Sequence, residues 1–481
     1  MSTIKKNFAY NSFLTVSNYI INLILFPYCA RVLGVERFGT TTFVQNVVEY
    51  FVFIAMMGIT HIGVREIAKQ NNKEQLSQCY SSLLVLNLLY TIISLSLFLP
   101  LTFLIDRFLE LKVLFILGAF YILFSSFKVE WLFRGIENFK YITIRNVIVK
   151  IIYVVLVFLL VKSSNDYVLF YILTVMMTVV NATINYLFAR KIVHFSLKGI
   201  TPFKYLRSSL SLGLYSILTS MYTTFNVIFL GMVWDDIQVG FYTTAIKLYT
   251  VIVGFYSAFT GVMMPRLSSI LGKNGEREYK QLVDKSLTLL YTVSIPCIFV
   301  LLILAPEVVT LLAGKEYGPS IGMSRIVIPV LFVVGLGQIL SFQVLIPRGM
   351  DKSTLQASIV GASVGIGFNL WLTTSYGAVG TCVTVFLTEI CVTSFYLYIS
   401  LKKNLFEVDK NNFFRHLTAG IPYVFICYFF HVILKGNTIL VPIVSSLVCL
   451  IWFIFSQTRL LKNDIVINAL SLITKKTHKV Q

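Results

Sequence analysis

Charge is scarce in this sequence: 13% of its 481 residues are Asp, Glu, Lys or Arg, while 57% are hydrophobic. A soluble chain of this length needs more polar surface than that to cover its core, so the bilayer must be the solvent for most of it. Acids are scarcer still, 21 against 40 Lys and Arg, for a net charge of +19. The bases lie in short segments between apolar runs, which is a topology signal, and no nucleic-acid partner is expected. The seven cysteines, Cys29, Cys79, Cys297, Cys382, Cys391, Cys427 and Cys449, lie singly in or beside apolar runs, without a CxxC or a histidine at ligand spacing. That excludes a disulfide framework or a zinc site. His61, His194, His416, His431 and His478 are scattered, with no arrangement suited to metal binding or nucleophilic catalysis. No cofactor, metal or catalytic residue is therefore expected, and the chain reads as a non-enzyme. Nor does a small-residue cleavage site follow the basic segment Met1 to Lys6; the next stretch is long and carries Asn11, Asn18 and Asn22, as a retained first span would.

What is present is apolar length. A span needs about 20 mostly apolar residues, and division at Pro, Gly and charge clusters predicts an all-α polytopic membrane protein of about fourteen transmembrane helices. Their cores fall at 8–30, 40–60, 79–104, 111–132, 141–161, 166–189, 208–233, 239–264, 286–305, 321–346, 354–374, 377–400, 416–434 and 438–458. With the N-terminus in the cytoplasm, roughly 29 of the 40 Lys and Arg fall inside, which favours this orientation and places both termini there. Outside connections are short, Asp235-Asp236 among them, and leave no room for an external catalytic domain. The 15% of aromatic residues serve lipid-facing packing and interfacial belts.

The two halves echo one another at an offset of about 200 residues. Asn11, Thr15, Asn18 and Asn22 form a polar stripe on the first span, and Tyr215, Thr219, Tyr222 and Asn226 form one on the seventh. Leu33-Gly34 and Leu230-Gly231 follow, and basic loops begin at Arg65 and Arg266. Arg134-Gly135-Ile136-Glu137 after the fourth span matches Arg348-Gly349-Met350-Asp351 after the tenth. Six spans per half is an even number, so the halves enter from the same side as parallel repeats. The expected organisation is a six-helix lobe at 1–205, a second at 206–405, two appended helices at 406–460 without transport chemistry, and a basic cytoplasmic tail at 461–481.

At these residues the chain resembles the multidrug/oligosaccharidyl-lipid/polysaccharide (MOP) exporter superfamily, relatives of the MATE transporters, and within it the Wzx-type polysaccharide-unit flippases. Pro27, the turn Leu33-Gly34-Val35-Glu36-Arg37-Phe38-Gly39, the loop Trp131 to Glu137, and Pro265-Arg266-Leu267 carry the resemblance, over about residues 1–460. It implies a two-lobed transporter working by alternating access, with spans one, two, seven and eight lining the cavity. The implied substrate is an undecaprenyl-pyrophosphate-linked oligosaccharide repeat unit for O-antigen, capsule or exopolysaccharide, moved outward across a bacterial cytoplasmic membrane. The bilayer and a lipid-linked glycan are the implied partners, with a polysaccharide polymerase and glycosyltransferases acting alongside.

An ionisable group at mid-helix costs about 2.5–3.5 kcal/mol on insertion scales, so each is a functional candidate. Glu49, Lys128, Glu130, Lys150, Lys247, Arg325 and Glu389 qualify, and bases outnumber acids, as an anionic headgroup would require. Lys247 leads, being well inside the eighth span; the competing reading is a salt bridge to Glu389 or Glu49. Arg325 and Lys128 could contact substrate or snorkel to headgroups. Lys150 is better explained by an ion pair within its lobe. A carboxylate taken out of water binds a proton more tightly, so Glu49, sharing a face with Gln45 and Asn46, and more weakly Glu389, are candidates for ion coupling; a packing hydrogen bond is the alternative for Glu49. Asn18, Asn22, Tyr222 and Asn226 could bind sugar hydroxyls or glue helices together. Tyr215, Tyr222, Tyr242 and Tyr249 could stack on sugars or simply pack. Arg134 and Arg348 could meet the entering pyrophosphate or cap helix ends. Two rival functions stay open at this point: a MATE-type drug/cation antiporter, which wants acids in its lumen, and a membrane polysaccharide polymerase or ligase, which wants a larger external loop.

Overall fold

The computed structural model describes residues 3–220, 224–273, 275–407 and 409–477, and among them all regular structure is helical. Eleven helices are long and apolar enough to cross a membrane. Two of these, Tyr10–Met56 and Asp351–Lys402, are each broken by one glycine at positive φ, Gly34 (φ 70°) and Gly377 (φ 57°), and so count as two spans apiece. A seventh span is carried by Leu206–Ser220 and the shorter apolar helix Thr224–Val233. Fourteen spans result, as hydropathy predicts. Side chains such as Leu104, Phe425 and Ile451 are 68–76% exposed, which only a lipid solvent tolerates in such number.

The helices form two compact units, one running through Thr243 and including Asn369–Ala378, the other comprising Thr244–Phe368 and the chain from Val379 onward. Residues 206–243, the beginning of the second repeat, thus pack with the first six spans. The core of the first unit gathers around Trp131, Tyr80, Phe133, Ile59 and Ile62. Its short helix Ile59–Ile67 is amphipathic and buries Ile59, Ile62, Gly63 and Ile67. Gly63 has no substitute there, because a Cβ would sit 2.7 Å from the Trp131 ring. In the second unit Tyr256, Leu290, Leu331 and Leu340 form the main core, and a satellite of Leu304, Tyr423, Cys427 and Val441 fastens the two appended helices, Lys410–Ile433 and Leu440–Leu460, to the ninth span.

The two Arg-Gly segments of the expected repeat share a helix-end turn, although their sequence matches do not superpose. Both Arg-Gly segments end in the same backbone turn, in which a left-handed residue closes the helix and two amides return to the last carbonyls. In the first the left-handed residue is Glu137 (φ 59°), with Glu137 N donating to Arg134 O and Asn138 N to Phe133 O. In the second it is Gly349 (φ 71°), with Gly349 N donating to Ile346 O and Met350 N to Leu345 O. The turn is therefore shifted two residues along the motif. Likewise Gly34 breaks a helix, whereas Gly231 lies inside one and lets the Phe43 ring approach to where a Cβ would be 2.3 Å away.

Candidate functional site

In the first unit the fourth span, Lys112–Gly135, is interrupted. Ser126–Lys128 tightens into a 3-10 turn and Val129 takes φ 36°, ψ 33°, a left-handed conformation that costs a β-branched residue about 1–3 kcal/mol. The break turns Lys128 and Glu130 toward a common polar cluster. Glu49, on the second span, accepts hydrogen bonds from Gln45 (3.0 Å) and the Tyr121 hydroxyl (2.8 Å), and the Lys128 ammonium lies 4.9 Å from the centre of the Tyr121 ring. On the other side of the break Glu130 receives Arg145 at 2.7 Å and the exposed Arg134 at 3.6 Å. The Arg145 side chain is only 4% exposed and also donates to Asn185, which in turn donates to the Lys128 carbonyl. Removing one member of such a pair strands the other charge, at about 3–5 kcal/mol. Two sequence-predicted groups, Glu49 and Lys128, thus meet at one tyrosine, and Arg145, which sequence reading passed over, anchors the neighbouring pair.

Other predicted residues separate by use. Lys150 donates to Asn18 at 3.0 Å, joining the fifth span to the first. Asn22, one turn along, is exposed and has no hydrogen bond among the described residues. Asn226 is 1% exposed and accepts from Asn369 at 2.7 Å, which is helix glue. Tyr242 and Tyr249 are buried and belong to packing. Tyr222 lies outside the described residues, as do the side chains of Tyr215 and Thr219. Arg348 pairs with Glu276 at 2.8 Å and stacks 4.2 Å over Tyr279, holding two helix ends together. Arg325 is exposed and its Nε donates to the Leu302 carbonyl at 3.1 Å, a tie between the ninth and tenth spans.

Lys247 stands apart. It is exposed, about 17 Å along the helix Asp236–Leu271 at 1.5 Å per residue, and therefore near the middle of a hydrocarbon layer about 30 Å thick. Its ammonium has no ion-pair or hydrogen-bond partner among the described residues of its unit, so the expected salt bridge to Glu389 does not form. Glu389, in the same unit, is half-buried and has no hydrogen-bond or ion-pair partner among the described residues.

Two sets of contacts missed by the sequence reading join the first six spans to residues 206–243. At one end Asp236 accepts from Thr40 and Arg107, each at 2.6 Å, and Gly39 and Gly240 bring the backbones together. At the opposite end the Tyr90 and Ser209 hydroxyls bond at 2.7 Å, while Gly58 and Gly213 allow Met57 and the Ser209 carbonyl close approach. Glu307, 2% exposed, pairs with His431 in the second unit.

Comparison with known proteins agrees with this architecture. A Shigella dysenteriae protein named "Putative O-antigen transporter" is 29% identical over 399 residues, covering 82% of this chain and 99% of its own. The solved structure of the lipid II flippase MurJ in an inward closed conformation aligns over 94% of this chain and 99% of its own with a TM-score of 0.75, at 14% identity. An inward-facing multidrug resistance MATE family transporter of the MOP superfamily aligns over 82% and 98% with a TM-score of 0.58, at 15% identity. At such identities these two likenesses show the fold. The sequence profile of the polysaccharide biosynthesis protein family matches residues 4–271, more than half of the chain, and the protein belongs to that family.

Proposed function

We propose that the protein is a flippase that carries undecaprenyl-pyrophosphate-linked oligosaccharide repeat units from the cytoplasmic to the outer face of the bacterial inner membrane, with both termini in the cytoplasm. The observation that carries this reading is Lys247, an exposed cation at mid-span with no ion-pair partner among the described residues, a charge suited to an anion crossing the membrane. The O-antigen transporter from Shigella, matched over nearly its whole length, supports the glycan. The lobes 1–205 and 206–405 are the moving bodies, and the contacts of residues 206–243 at the two ends open in turn, which is alternating access. Asn22 and Asn18 offer amides to sugar hydroxyls, Arg134 meets the pyrophosphate at the cytoplasmic mouth, and no covalent step is required of the protein. A chromosomal deletion should abolish surface glycan and accumulate lipid-linked units on the inner leaflet; glycan display without that accumulation would refute the reading.

Glu49 and Glu389 are the candidate ion-coupling groups. Glu49 is already held by two donors and sits beside Lys128, so a proton taken up there changes the balance of the whole cluster. In inverted vesicles, collapse of the proton gradient should slow uptake of a lipid-linked unit by wild type, whereas Glu49→Gln, with that carboxylate fixed in its neutral form, should be slow whether or not the gradient is present. Gradient dependence that survives unchanged in Glu49→Gln and Glu389→Gln would rule these carboxylates out.

A further inference from the structure

Between the eleventh and twelfth spans lies a groove of about 760 Å³, lined by none of the residues given a transport role above. Its floor is apolar, made by Ile359, Val360 and Phe395, and its mouth carries Tyr398, Lys402 and Lys403. Lys402 lies 5.6 Å from the centre of the Tyr398 ring, and neither ammonium has an ion-pair partner among the described residues. No carboxylate lines the groove; Asp351, which begins the neighbouring helix, is outside it. From Ser353 at the mouth to Val360 on the floor the helix rises about 10 Å, enough to lay down the upper part of an acyl chain.

A basic mouth over an apolar trough between two membrane helices has the charge and polarity order of a phospholipid, with the phosphate at the boundary and the chain beneath it. Lys402 closes its helix at the end where the chain leaves the membrane, so its ammonium stands at headgroup depth. Uncharged polar groups are few there, Ser353, Gln356 and the Tyr398 hydroxyl, too sparse to hold an oligosaccharide. We infer that this groove is a binding site for an anionic glycerophospholipid of the surrounding bilayer, its phosphate held between Lys402 and Lys403 and one acyl chain lying on Ile359, Val360 and Phe395. The inference does not depend on what the transporter carries.

Native mass spectrometry of the full chain released from detergent tests it, with palmitoyl-oleoyl phosphatidylglycerol, phosphatidylcholine of the same chains, and undecaprenyl phosphate as probes. Wild type should retain phosphatidylglycerol about tenfold better than phosphatidylcholine, and K402Q/K403Q should lose that preference while still binding both weakly through the trough. K402E/K403E should reverse it. Equal retention of the two phospholipids by wild type, or a preference that survives in the folded K402Q/K403Q protein, would overturn the assignment. Displacement of phosphatidylglycerol by equimolar undecaprenyl phosphate would overturn it too, since the groove would then be an entry for the carrier lipid.

Discussion

Replacing Lys247 with alanine should reduce surface glycan at least about tenfold while leaving the protein in the membrane at wild-type abundance or above. A charge-assisted hydrogen bond contributes about 1.5–3 kcal/mol, and each 1.4 kcal/mol is about tenfold in affinity, so loss of one such contact to a pyrophosphate sets the lower limit. The stability side of the prediction separates function from structure. A lysine engaged in packing or in a salt bridge would leave a stranded partner when removed, and the protein would lose abundance. Lys247 has no partner among the described residues to strand, and its removal takes away a mid-membrane charge that costs about 2.5–3.5 kcal/mol to insert. Lys247→Arg should keep part of the activity, and Lys247→Glu should be worse than alanine because it repels the phosphates. The measurement is surface glycan by immunoblot together with membrane abundance; wild-type export by Lys247→Ala at equal abundance would end its role as a substrate contact.

The membrane fold was legible because bilayer thickness imposes one length on every span, and fourteen apolar runs met it. Pairings were far less legible, since they join residues that sequence period does not relate. Arg145 finds Glu130 only because the Val129 break turns the end of the fourth span. Asp236 reads as a loop acid, yet its partners lie 129 and 196 residues away. Glu307 was missed for a different reason. Division at Pro306 ends the ninth span near residue 305, whereas the helix runs on to Ala313. Proline is tolerated inside membrane helices when neighbours satisfy the freed carbonyl, so the break rule of soluble helices placed a buried carboxylate outside the membrane. With the helix carried through, Glu307 and His431 would have stood out as facing ionisable groups. Asn226 shows the converse: a polar stripe at helical spacing cannot tell glue from cavity wall, and only Asn369, on a distant span, decides it. The depth and charge of Lys247 could be read from sequence because they are properties of one residue, not of a pair; its role is a proposal.

Gly39→Ala should be nearly as damaging to export as loss of Lys247, by a route that leaves every charge in place. A Cβ at residue 39 would lie 1.8 Å from the Asp236 carbonyl oxygen, 2.7 Å from its carbon and 2.9 Å from the Gly240 nitrogen. All three are backbone atoms, so no rotamer change relieves the overlap and the two helices must separate by more than an ångström. That displacement pulls the Asp236 carboxylate away from Thr40 and Arg107, whose bonds at 2.6 Å hold this end together. In a transporter that must close this end once per cycle, a penalty of about 1.4 kcal/mol on closing already lowers the closed population about tenfold, and a steric clash between backbones exceeds that. The helices themselves should still fold, since alanine is the better helix former by about 1 kcal/mol. Gly322→Ala is the matched control: nothing lies within 4 Å of its Cβ position, so export should be unchanged. Arg107→Ala, which removes one contact and leaves the backbones free to meet, should fall between the two. If Gly39→Ala exported glycan at the wild-type rate, closure at this end could not be a required step of transport.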